Sequence, residues 1–380
     1  MKHNNQIIEK RCINDIIDSI PDFIKNANVY SAPIFEKHGT RLYMNENIYG
    51  PSPNCLKVLN NTKSSDLYQY SFAGDGLFIE AVGNAFDVDP KKIVVNSGAA
   101  SVIQQIFKTF IQPNDVIYLP KPGWGYYSGV AQLLNGKVRY YELKETEEGY
   151  SFDINSMTKE MIKHSPKVIV ITSPNMPTGN EIEKKDIEYI ANKFKNSIIL
   201  LDEAYYGFTD NYQLCGEKLI EEYPNIIVLR TLSKIYGLAS VRLGFALCNE
   251  TLACIIRKSA PLFGVPFVSQ IIGKAALDDK EYYKALSLKI SKVRDEFINE
   301  INNIQGLKAY PSKSNFVLIN TGDISPANIE EYLRKNNYLV RNCTGYGLFS
   351  HIRISIGKEE QMKEIVNLIR DYVNSKTSIV

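Results

Sequence analysis

The middle of the chain alternates two hydrophobic rhythms. Short β-branched runs recur at Lys92–Asn96 (KIVVN), Asp115–Leu119 (DVIYL), Lys137–Leu143 (KVRYYEL), Lys167–Thr172 (KVIVIT), Ser197–Asp202 (SIILLD), Asn225–Arg230 (NIIVLR) and Arg242–Leu247 (RLGFAL). Between most of them the apolar residues fall at helical spacing, as in Ala100–Phe110 and Lys184–Phe194, so the pattern predicts strands joined by crossover helices. Seven strands connected in this way predict an α/β fold: a mostly parallel seven-stranded sheet covered on both faces. Its ligand site is expected at the carboxyl ends of the strands. After about Leu277 the rhythm changes to a long charged helix, Lys280–Asn303, and then to a shorter α/β segment containing SNFVLIN and HIRISIG. The expected organisation is an N-terminal arm (1–65) too short for its own core, a large domain (66–278) and a smaller C-terminal α/β domain (279–380).

Composition narrows the chemistry mainly by exclusion. Acids and bases are interspersed and the net charge is +2, so the basic stripe that nucleic acid requires is missing from the sequence. The start carries no apolar signal segment and no run is long enough to span a bilayer, so the expectation is a cytoplasmic protein with no membrane partner. The cysteines Cys12, Cys55, Cys215, Cys248, Cys254 and Cys343 are scattered, suggesting neither a disulfide framework nor a metal site.

Four patches at predicted strand ends carry the candidate chemistry. In TLSKIYGLASVRLGF, Lys234 follows a strand directly after Ser233, and Arg242 comes eight residues later. A lysine at a strand end can be desolvated into a competent amine for an aldehyde cofactor, with Ser233 and Arg242 binding a phosphate. Standing alone, the motif reads more simply as a surface lysine and a surface salt bridge. The strand SIILLD ends in Asp202, a carboxylate whose burial demands a cationic or hydrogen-bonding partner. A protonated pyridine nitrogen supplies one and keeps the ring an electron sink; a helix N-cap explains the aspartate as well. SGAAS, around Ala99 and Ala100, offers small residues where a helix begins, letting backbone N–H groups approach a phosphate. In PGWGYY the chain's single tryptophan, Trp124, is placed to stack on a flat heterocycle.

Taken in order, SGAAS, PGWGYY, SPNMPTG, DEAYYGF, TLSKIYGLASVRLGF and HIRISIG resemble the class I/II aminotransferases of pyridoxal-phosphate (PLP) fold type I, the aspartate aminotransferase fold. The blocks NENIYGPSP, PSKSNFVLI, LVRNC and IRISIG are similar to those of the histidinol-phosphate aminotransferase subgroup. The resemblance spans roughly residues 40 to 370. It implies that Lys234 carries PLP covalently and shuttles the substrate's α-proton. Asp202 then pairs with the pyridinium nitrogen, Tyr205 hydrogen-bonds the phenolic oxygen, and Trp124 stacks on the ring. The phosphate falls to Ser233, Arg242, the N–H groups of Ala99 and Ala100, and Tyr70 from a second subunit, which implies a homodimer. Arg353 resembles the arginine that grips the substrate carboxylate, and Tyr49 with Arg341 the pair facing a distal anionic group.

The sequence departs from the family at Met176, just before PTG, where an asparagine normally donates to the phenolic oxygen; a thioether cannot. Asn175 is the neighbour able to compensate. Trp124 replaces a more usual tyrosine or phenylalanine, Ala100 stands where the subgroup tends to carry an acid, and His38 precedes the NEN block without a counterpart. The expected activity is amino-group transfer between a small amino acid or amino-phosphate and a 2-oxo acid. A PLP-dependent decarboxylase, cyclase or amino-acid oxidase on the same scaffold is the alternative that Met176 and His38 motivate.

Overall fold

The computed structural model describes residues 13–28, 38–71, 74–208 and 216–377. Cys12, Cys215 and, of the expected N-terminal arm, residues 1–12 and 29–37 lie outside them. All seven anticipated strands form. In chain order the strands are β1 (Thr40–Arg41), β2 (Ile93–Asn96), β3 (Val116–Lys121), β4 (Lys137–Thr146), β5 (Gly149–Phe152), β6 (Val168–Thr172), β7 (Ile198–Asp202), β8 (Ile226–Thr231), β9 (Gly244–Cys248), β10 (Lys308–Ala309), β11 (Phe316–Asn320), β12 (Tyr338–Leu339), β13 (Arg341–Asn342) and β14 (His351–Ser355).

The large sheet has eight strands in the order β2-β9-β8-β7-β6-β3-β4-β5. The eighth, β5, is a hairpin return on β4 that the alternation alone did not separate from it. From β8 to β4 the strands run parallel, while β9 lies antiparallel to both β8 and β2. Alternate residues serve opposite faces. Val168, Val170, Leu200, Ile227 and Leu229 pack into one core with the helix Ala99–Phe110, whereas Ile169, Ile171, Ile199, Leu201 and Val228 join the other. Both faces being buried explains why these runs read as unbroken apolar stretches. Each such side chain contributes about 1.5–3 kcal/mol of burial.

Arg242, expected inside the last strand, lies ahead of it: its backbone is left-handed (φ 59°), and regular pairing starts only at Gly244. The long helix runs over Lys280–Asn302. It is fastened to the large sheet's side through Ser291 Oγ and Arg294 Nη1, both donating to the Phe208 carbonyl. Beyond it β10-β11-β14-β13 make a small antiparallel sheet.

The chain ahead of the large sheet does two jobs. β1 pairs in parallel with β12, and Ser355 N–H donates to the Leu42 carbonyl, so residues 40–45 follow the small sheet. The helix Pro53–Asn60 instead packs toward the helix Phe267–Asp278, with the Cys55 thiol against the Ile272 carbonyl. Among the described residues no helix is long and apolar enough to cross a membrane.

Candidate active site

Strand ends bring the chemistry together. β7 terminates at Asp202, only 7% exposed, and both carboxylate oxygens are engaged. Tyr127 Oη donates to Oδ2 at 2.6 Å and the Ala204 N–H to Oδ1 at 2.9 Å. Burial holds this carboxyl above its ordinary range, against the pull of Tyr127, the Ala204 N–H and nearby Lys234. The next residue, Glu203, is anchored from below by wholly buried Arg230, whose Nε donates to it at 2.9 Å and whose Nη1 meets Glu217 at 2.5 Å. Arg230 also lies 4.9 Å over the rings of Phe86 and Tyr206. That ion-paired block joins the ends of β7 and β8 and so fixes the loop that follows β8.

Lys234 is on that loop. Its Nζ donates to the Met44 carbonyl at 3.0 Å and stands 5.5 Å from the Tyr205 ring centroid. Burial, then the positive charges of Arg353 and Arg242, outweigh Glu46 and Asp202 and bring its ammonium down to about 8. An amine so depressed is available as a nucleophile near neutral pH.

The anion cradle forms where the helix Ala99–Phe110 begins. Gly98 caps it with φ 85° and no side chain caps its first N–H groups. A Cβ on Gly98 would collide with the Arg242 guanidinium, and one on Gly244 with the backbone of Gly98 and Ala99. Glycine at these positions lets β9, Arg242 and the helix start close on one point. Ser233 and Thr231 are hydrogen-bonded beside it. Trp124, stacked on Tyr126 at 4.8 Å, covers the same opening.

Arg341 and Arg353 are direct cross-strand partners on β13 and β14, so they project on one face. Two like charges so opposed repel unless an anion lies between them. Arg353 donates through Nη2 to the Tyr43 carbonyl at 2.6 Å and through Nη1 to Met176 Sδ at 2.8 Å. The Nε of each arginine is buried without a hydrogen-bond partner among the described residues.

One cavity of about 540 Å³ is lined by Lys234, Asp202, Tyr205, Trp124, Ala99, Ala100, Ser233, Arg242, Arg341 and Arg353. Three expected residues are elsewhere. Asn175 is buried and spends its amide hydrogens on the Pro122 carbonyl and Thr178 Oγ1, so it does not line the cavity. Tyr49 follows a turn at Asn47, whose Oδ1 accepts its N–H; its ring lies under Lys289 and its hydroxyl reaches the Gly357 carbonyl. Tyr70 is 80% exposed, stacked on Phe263 at 4.6 Å. His38 is also on the surface.

Sequence reasoning missed Arg41, Asn45, Glu46, Thr231, Ser240 and Tyr346, all of which line the cavity. It missed Tyr127 behind it as well. Asn45, Glu46, Thr231, Ser240 and Tyr127 stood within quoted motifs, and the demand of a buried aspartate for a donor was the available signal for Tyr127.

This donor set fits PLP: an anion cradle, an aromatic lid, a buried carboxylate and a depressed amine converge on a single opening. The model for aminotransferase class I and II matches residues 37–369. The chain belongs to that family. It is 34% identical to a histidinol-phosphate aminotransferase of Clostridium novyi, over 91% of this chain and 95% of that protein. To the histidinol-phosphate aminotransferase of Methanocaldococcus jannaschii it is 29% identical, over 88% and 89%. In fold it is similar to the histidinol-phosphate aminotransferase of Sinorhizobium meliloti solved in complex with pyridoxal-5'-phosphate (TM-score 0.82, 21% identity, 94% of this chain and 98% of that one). The protein is therefore a fold-type-I, PLP-dependent aminotransferase acting on amino acids and 2-oxo acids.

Proposed function

We propose that this aminotransferase takes its amino group from a small amino acid or amino-phosphate with an anionic end, of the histidinol-phosphate type, and passes it to a 2-oxo acid. The observation that carries this reading is the cross-strand pair Arg341 and Arg353, opening on the same cavity as Lys234. The pair would meet the single phosphate of an amino-phosphate, or, in a dicarboxylic partner, Arg353 would take the carboxylate nearest the reacting carbon and Arg341 the distal one, each as a charge-assisted pair. PLP, once bound, supplies an electron sink for the carbanion left at that carbon.

The chain's own groups do the rest. Lys234 Nζ would hold the cofactor and, when free, would take and return the substrate's α-proton, for which its lowered pKa suits it. Asp202 would keep the ring nitrogen protonated, and Tyr205 would donate to the phenolic oxygen. Ser233, Arg242 and the N–H groups of Ala99 and Ala100 hold the phosphate. In a cytoplasmic homodimer, the exposed Tyr70 of one subunit reaches the phosphate of the other.

The test loads the purified protein with PLP and follows the cofactor's absorbance while amino donors are added. Histidinol phosphate is expected to convert it to the amine form and a 2-oxo acid to return it. No conversion by any anionic donor, or carbon dioxide release or oxygen uptake in its place, would overturn the proposal.

A further inference from the structure

Asn45, in the NEN block, is 2% exposed and left-handed (φ 56°), a backbone shape that asparagine tolerates better than most residues. Its backbone N–H donates to Ser355 Oγ at 2.9 Å, and its carbonyl accepts from Asn315 Nδ2 at 3.0 Å. Ser355 is wholly buried, and among the described residues its hydroxyl hydrogen has one acceptor, Asn45 Oδ1 at 3.0 Å. This decides which way the amide faces. With Oδ1 taken by Ser355, Nδ2 must point the other way, and there it donates to Tyr205 Oη at 2.8 Å. The Tyr205 oxygen is thus an acceptor toward Asn45, and its own hydrogen is left to point into the cavity that Tyr205 lines.

Met176, which lines the same cavity, holds the position where the family resemblance implies an amide donor, and its sulfur accepts from Arg353. The geometry points to Asn45 as a positioning residue that stands in for the missing amide: by donating to Tyr205 it aims and strengthens the Tyr205 O–H as donor to the cofactor's phenolic oxygen. The inference rests on the PLP reading above.

The charged and titratable groups around Tyr205 are Arg353, Asp202, Tyr346 and Lys234. Burial pushes the phenol up to about 12, Arg353 and Asn45 pull it down, and Asp202 and Tyr346 push it up. Tyr205 accordingly keeps its hydrogen throughout the working range and serves as a donor.

The readout is the pH midpoint of the visible absorbance of the PLP-loaded protein, which needs no turnover. A donor to the phenolic oxygen favours the unprotonated lysine–cofactor linkage, whose negative charge resides on that oxygen, so weakening the donor raises the midpoint. Asn45→Gly, chosen because glycine accepts the positive φ, should raise it by roughly half a pH unit, and Tyr205→Phe by more. Asn45→Asp places an acceptor against Tyr205 and should raise it too. Adding Asn45→Gly to Tyr205→Phe should change nothing further, and Met176→Asn should lower the midpoint in both the wild-type and Asn45→Gly backgrounds. The inference is overturned if Asn45→Gly leaves the midpoint in place while Tyr205→Phe moves it, or if its effect persists without the Tyr205 hydroxyl. A protein that binds no PLP and shows no visible band removes the cofactor reading itself, and the inference with it.

Discussion

Tyr127 donates its phenolic hydrogen to Asp202 across 2.6 Å, with both side chains shut away from solvent. The tyrosine is one of two donors that make an ionised carboxylate tolerable at the end of β7. Tyr127→Phe removes it, and leaving a buried carboxylate one bond short costs about 1.5–3 kcal/mol, readable by urea denaturation. Since Tyr127 holds the Asp202 carboxyl down against burial, its loss drives that carboxyl higher. The acidic limb of the kcat/KM profile should move to higher pH; a profile and stability equal to wild type would show the bond to be idle.

Lys234 predicts a pH-dependent stability in protein stripped of cofactor. With its ammonium near 8 in the fold and about 10.4 in the unfolded chain, the unfolded state binds the extra proton between those values. Stability therefore rises with pH across that window, and the handicap is complete below it. Lys234→Met should raise the melting temperature below pH 8, with the gain shrinking toward pH 10. A gain independent of pH would mean the amine is not desolvated.

Gly98→Ala forces a side chain onto a left-handed backbone and into the Arg242 guanidinium. PLP should dissociate at least ~10-fold more readily, and added inorganic phosphate should compete less well in the variant than in wild type. Equilibrium dialysis checks both.

If the proposed function holds, Arg353→Ala removes a charge-assisted pair with the substrate; in any case it leaves Arg341 without its cross-strand partner. The loss in kcat/KM should be about 2–4 kcal/mol of transition-state binding, measured with the best donor from the absorbance screen. Unchanged kinetics would mean that the substrate's anionic group docks elsewhere.

Arg230→Met leaves Glu203 buried and uncompensated beside Asp202. Breaking such a pair costs about 3–5 kcal/mol, so the melting transition should fall sharply. A transition within a degree of wild type would mean that Glu203 finds another partner.

The sheet was legible because its strands bury both faces, and that turns them into the apolar runs seen in the sequence. The strand-end groups Asp202, Lys234 and the SGAAS helix start were legible for the same reason, since parallel topology delivers strand ends to one edge. What stayed hidden depends on loop direction. Asn175 and Met176 are adjacent, yet the turn ties the first inward through Thr172 and Thr178 and gives the second to the cavity. Tyr49 does not line this cavity; its N–H closes a turn on Asn47 Oδ1 and its ring lies under Lys289, a direction that no spacing encodes. Asn45 meets Tyr205 across 160 residues of sequence, a separation at which local pattern is silent.

The stretch 40–45 belongs by its backbone bonds to the small sheet, yet Met44 holds Lys234 and Asn45 holds Tyr205. Arg353 reaches the same stretch at the Tyr43 carbonyl. Three successive residues, 43 to 45, thus serve as the common seat of an arginine from the small sheet and of the amine and phenol from the large one, so a change that displaces this strip disturbs all three groups together.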